Sequence, residues 1–130
     1  MAVSLRREGA RLSLVGESPP LPGDGDDYIN ALGIISAQQE PFLLLVDIGI
    51  AIDLTSGQRK AQNLWYKASR PLIEAQCRAM AMVRPSASGE MQRVWQSLFA
   101  FPVYVTASRS EADAFLARHS IESRVDGTAR

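Results

Sequence analysis

The clearest apolar run in the chain is Phe42-Leu-Leu-Leu-Val, closed by Asp47. It is apolar at consecutive rather than alternate positions, the pattern of a strand covered on both faces, as in a parallel sheet. Residues 78–83 (Arg-Ala-Met-Ala-Met-Val) alternate small and large apolar side chains and predict a second buried strand. Residues 101–106 predict a third, whose proline at the second position favours a strand start or an edge. Near the N-terminus, residues 3–5 and 11–15 are short apolar stretches around Glu8-Gly9, and they predict a hairpin or edge pair.

Between these strands the apolar period becomes helical. Tyr28, Ile29, Leu32 and Ile35 form one stripe of a helix predicted over 28–37, capped by Asp26 or Asp27 and stopped by Pro41. The longest predicted helix covers 59–76, with Ala61, Leu64, Trp65, Ala68 and Leu72 as its inward stripe and Pro71 kinking its last turns. Residues 86–99 predict a helix that buries Met91, Val94, Trp95 and Leu98. Ser108-Arg-Ser-Glu111 reads as a capping box opening a final helix to about His119. Residues 17–27 hold three prolines and two glycines and predict a loop, and residues 120–130 predict a polar, frayed tail. The order is ββ-α-β-α-β-α-β-α. It predicts an α/β domain over 1–119, with right-handed crossovers and a mostly parallel sheet.

Composition narrows the function classes. Fourteen Lys and Arg residues balance fourteen Asp and Glu residues, which excludes a strongly basic nucleic-acid binder and an acidic tail. With 46% apolar and 22% charged residues the chain is an ordinary globular domain. Its single cysteine excludes an internal disulfide framework and an all-cysteine metal site. The first residues carry no apolar signal core, and no apolar run is long enough to span a bilayer, so the expected location is cytoplasmic without membrane insertion. No phosphate loop, dinucleotide fingerprint or nucleophile elbow is present, and no cofactor or catalytic residue is implied.

Candidate chemistry gathers at the carboxyl ends of the strands, where open α/β sheets bind ligands. Those ends are Asp47, Arg84, and Thr106 with Ser108; the segment Asp53-Leu-Thr-Ser-Gly-Gln-Arg59 lies on the same side. A helix starting there offers N–H groups and a dipole to an anion, while the plainer reading makes Thr55 and Gln58 a capping box. Arg84 either meets an anion or solvates its charge, and Ser86 with Ser88 either binds an oxyanion or caps the next helix. Asp47, Asp53, Gly57, Gln58, Arg59, Arg84 and Ser86 together form a mixed polar edge suited to a protein partner. Asp24-Gly-Asp-Asp27 lacks the spaced ligands and distant Glu of a calcium loop and reads as a capped turn. His119, the only histidine, cannot make a typical zinc site alone. Cys77 reads as an inert buried thiol rather than a nucleophile paired with His119.

The strings Phe42-Leu-Leu-Leu-Val-Asp47, Gln58-Arg59, Cys77-Arg-Ala-Met-Ala-Met-Val83 and the run from Phe101 to Leu116, taken in this order, resemble the SpoIIAA-like (STAS-type) domains, most closely their small stand-alone bacterial members. The resemblance covers about residues 3–119. It implies a mixed, mostly parallel four- to five-stranded sheet with helices mainly on one face. In the anti-sigma-factor antagonists of that family a serine at a helix start is phosphorylated by a partner kinase. The matching string is Asp53-Leu-Thr-Ser-Gly57, so Ser56 and Thr55 are the positions that would carry over; Leu54 and the shorter spacing from Asp47 depart from the family pattern.

Two readings follow. One is a non-enzymatic regulatory domain that presents the Asp53–Arg59 edge to a protein partner under phosphorylation, with homodimerisation through a helix face as a further expectation. Intact mass after co-purification from the native host tests it. The other is a carrier or sensor of a small apolar or amphipathic ligand between sheet and helices, lined by Trp65, Tyr66, Trp95 and Phe99. A solid interior would exclude it.

Overall fold

Successive side chains of a strand point to opposite faces, so a sheet apolar at every position must carry a layer on each side. The computed structural model, which describes residues 3–16, 22–48, 55–85 and 87–119, follows this rule. Its elements are β1 (Val3–Glu8), β2 (Arg11–Gly16), α1 (Asp24–Ser36), β3 (Phe42–Ile48), α2 (Ser56–Gln76), β4 (Cys77–Val83), α3 (Gly89–Leu98), β5 (Val103–Thr106) and α4 (Arg109–Arg118). The five strands lie in the order β1-β2-β3-β4-β5. β1 pairs antiparallel with β2 through a turn at Gly9, whose φ of 60° suits a residue without a Cβ. β2, β3, β4 and β5 run parallel. The result is a mixed, mostly parallel five-stranded sheet flanked by four helices.

The two faces bury different sets. Leu12, Leu14, Phe42, Leu44, Val46, Met80, Met82, Val103 and Val105 share a core with α1, α2 and α3. Leu43, Leu45, Ala79, Ala81 and Val83 pack against Ala112, Phe115 and Leu116 of α4. The small-large alternation of β4 therefore serves both layers: its alanines let one helix seat closely, and its methionines face the layer of three.

Several boundaries differ from the sequence expectation. α1 begins at Asp24, inside the predicted loop, with Gly23 at its N-cap and no side-chain cap. Asp24, Asp26 and Asp27 occupy its first turn, where carboxylates complement the helix dipole instead of capping it. α2 starts at Ser56 and runs through Pro71, and α3 starts at Gly89 with Ser88 at its N-cap. β5 begins at Val103, after Pro102.

The predicted inward stripe of α2 is displaced. Leu64 and Leu72 are each 57% exposed and Ala68 is exposed as well, whereas Ser69 and Ile73 are buried. The predicted stripe of α3 is also modified, since Val94 is exposed while Met91, Trp95 and Leu98 pack on the core.

The β5 edge is closed by side chains. Gln92 donates to the Val103 carbonyl at 2.6 Å and accepts from the Val105 N–H at 2.7 Å. One helical turn on, Gln96 donates to the Phe101 carbonyl at 2.8 Å and accepts from the Val103 N–H at 2.7 Å. Two primary amides thus stand in for a sixth strand.

Candidate functional site

Beneath α2 and α3 the packing against the sheet is incomplete, and a half-enclosed cavity of about 400 Å³ remains. Its floor is apolar: Leu14 of β2, Leu44 and Val46 of β3, and Met80 and Met82 of β4. α1 contributes Tyr28, Leu32 and Ile35. α2 contributes Gln62, Asn63, Trp65, Tyr66 and Ile73, and Trp95, Leu98 and Phe99 close the far wall. Tyr66 meets Phe99 edge-on with ring centroids 5.8 Å apart, and its hydroxyl donates to the Leu98 carbonyl at 3.3 Å, which ties α2 to the end of α3. Phe99 stacks on Phe101 at 4.8 Å. Trp65, Tyr66, Trp95 and Phe99 all lie along this cavity wall.

Sequence reasoning missed the polar part of the wall. Arg84, expected on a strand-end edge facing a partner or an anion, lines the cavity together with Tyr28, Gln62 and Asn63. Its backbone N–H continues the sheet by donating to the Thr106 carbonyl at 2.9 Å, so β4 directs the residue to the strand-end side. Among the described residues no carboxylate or hydrogen-bond acceptor meets its guanidinium. Burial raises the pKa of the Tyr28 phenol, and the nearby positive charge of Arg84 opposes part of that rise. The Trp65 indole N–H is shut off from water and unpartnered among the described residues. The available signal was polar Gln62 one turn before Tyr66 on a helix otherwise expected to bury only apolar residues.

The remaining candidates are dispersed. Asp47 accepts from Arg109 of α4 at 3.1 Å; Arg109 also meets Asp113 at 3.3 Å, and Asp113 meets Arg11 at 2.9 Å. This chain of alternating charges fastens α4 across β2 and β3. The Asp47 and Asp113 carboxylates counter the lowering effect of desolvation on Arg109 and leave its pKa raised overall. Thr55 and Gln58 form the expected capping box, with Gln58 N–H donating to Thr55 Oγ1 at 3.1 Å and Thr55 N–H to Gln58 Oε1 at 2.9 Å. Gln58 also donates to Asp26 at 2.7 Å, joining the starts of α1 and α2. Ser56, Gly57 and Arg59 are exposed beside this cap. Asp53 and Ser86 lie outside the described residues. Cys77 and His119 are not brought together: Cys77 belongs to the core beneath α1–α3, and His119 packs on Phe115 of α4 beyond the opposite face. Among the described residues no three His, Cys, Asp or Glu side chains converge on a possible metal position.

The chain matches no family model, and no curated protein or solved structure matches it. Among the described residues no helix is long and apolar enough to cross a membrane.

Proposed function

We propose that this chain is a non-enzymatic carrier or sensor of a small amphipathic ligand held between the sheet and helices α1–α3. The observation that carries the reading is the cavity itself, about 400 Å³ with an apolar floor and a few polar groups in its wall. That combination of size and lining is the usual make-up of a small-molecule site. At about 30 Å³ of liquid volume per water, the space equals that of roughly a dozen waters, room for a ligand of comparable non-hydrogen count. The sheet order and the three helices on one face accord with the SpoIIAA-like resemblance, and we read the chain as a SpoIIAA-like domain put to this use.

Both tryptophans of the chain line the cavity, so occupancy is readable from intrinsic fluorescence. Titration with the neutral apolar probe N-phenyl-1-naphthylamine is expected to quench that emission with one molecule bound per chain. Leu98→Trp, which places a larger side chain on the half-buried wall, is expected to weaken binding at least tenfold while the circular dichroism stays native. Unsaturable binding, or equal binding by the variant, overturns the reading.

A second reading, a phospho-switched protein-interaction edge, draws support from Ser56. Its side chain is exposed in the first turn of α2, where the dipole favours added negative charge, whereas the Thr55 hydroxyl is occupied as the cap. The intact-mass experiment given above tests it.

A further inference from the structure

We propose that the ligand of this cavity is a single-chain amphiphile with an anionic head, carboxylate or phosphate, seated against Arg84. The inference rests on the cavity being a ligand site and adds the chemistry of the occupant. Arg84 is the one charged residue among the described residues lining the cavity, and no Asp or Glu side chain shares that wall. A guanidinium can only donate hydrogen bonds, stays protonated at any physiological pH, and matches the two oxygens of a carboxylate or phosphate. The indole N–H of Trp65, also donor-only, is buried and unpartnered, a costly state that an acceptor would relieve. Tyr28 adds a phenol close enough to feel the charge of Arg84. Gln62 and Asn63 can donate or accept, so the wall as a whole offers donors and positive charge.

The rest of the surface is hydrocarbon, from Leu14 and Leu44 to Met80 and Phe99. The polar groups are therefore grouped against an apolar remainder, which is the inverse image of a head and a tail. A cationic head would be repelled by Arg84. A neutral head would leave the guanidinium without a counter-charge.

The test uses the full chain with ten-carbon probes that differ only in the head: decanoate, decyl phosphate, decanol and decylamine, each below its micelle concentration. Tryptophan fluorescence and calorimetry read the affinity. Decanoate or decyl phosphate is expected to bind at least tenfold more tightly than decanol, with decylamine weakest, and the ratio between the two anions identifies the head. Arg84→Gln is expected to erase that preference while decanol binds as before, and Arg84→Lys to retain most of it. Equal affinity for all four heads, or an anion preference that survives Arg84→Gln, overturns the anionic-head assignment and leaves the ligand site standing. Failure of every probe, decanol included, removes the site and this inference together.

Discussion

Cys77 opens β4 with 2% of its surface exposed, and its thiol donates to the Ala79 carbonyl at 3.4 Å. Burial pushes the thiol from its ordinary value of 9.0 up to about 12, so at neutral pH it carries no thiolate. Iodoacetamide at about pH 8 is expected to alkylate the native chain far more slowly than the urea-unfolded chain. The same shift fixes a pH dependence. Because the folded value lies above the unfolded one, the contribution is complete below about pH 9 and is lost as the pH climbs from 9 towards 12. Urea midpoints should therefore fall through that window, and Cys77→Ala should flatten the fall; Tyr28, also raised by burial, maintains part of it above pH 10. At this scale part of the local signal was readable: the cap expected for α1 is absent, and of the expected Ser108–Glu111 box only the Ser108 half forms. The Thr55–Gln58 box and the Ser108 cap depend only on residues three apart in sequence. The Glu111 side chain was not readable, because it accepts from Thr106 at 2.8 Å and Tyr104 at 3.2 Å, partners set by where α4 crosses β5.

Among the elements, α3 and β5 depend on each other through the paired amides of Gln92 and Gln96. Each bond contributes about 1 kcal/mol net, so Gln92→Ala with Gln96→Ala is expected to cost roughly 2–4 kcal/mol in urea unfolding. The double variant also bares the β5 edge, and light scattering should detect association that the parent chain does not show. If the variant stays as stable and as dispersed as the parent, the glutamines do not protect the edge. Nothing in the spacing of two glutamines one turn apart announces such a role, since it needs a strand edge running alongside. α2 gives the converse case. Its sequence holds one apolar stripe, Ala61, Leu64, Trp65, Ala68 and Leu72, beside a mixed one that shares Trp65, and periodicity selected the apolar one. The helix instead turns Gln62, Tyr66, Ser69 and Ile73 inward. It roofs a cavity rather than a packed sheet, so its inner face tolerates polar residues that a solid core would reject.

Across the whole molecule, the consecutive apolar run of β3 announced a doubly covered sheet, and the alternation of strands and helices announced its parallel part. What sequence alone left open was the division of labour between the faces. One layer holds three helices and the cavity, and the other is α4 alone, locked by Leu116 and the Asp47–Arg109–Asp113–Arg11 chain. Leu116 is fully buried, and Leu116→Ala is expected to cost about 2–5 kcal/mol by thermal or urea melting. A markedly smaller loss would mean that α4 is held by its surface charges. Arg84 illustrates why the site was only partly legible: its position after β4 was readable, but the unfilled space beside it arises from how three helices meet.

The blocked edge at β5 has a counterpart at the other end of the sheet. Among the described residues no side chain bonds the outer backbone of β1, whose Arg6, Arg7 and Glu8 are exposed. Among the described residues, the sheet is therefore open to strand addition at β1 and blocked at β5. Two copies joined through β1 would use both open edges at once in a two-fold, ten-stranded sheet, and a third copy would find no vacant edge. The geometry that leaves room for a dimer thus terminates a fibre.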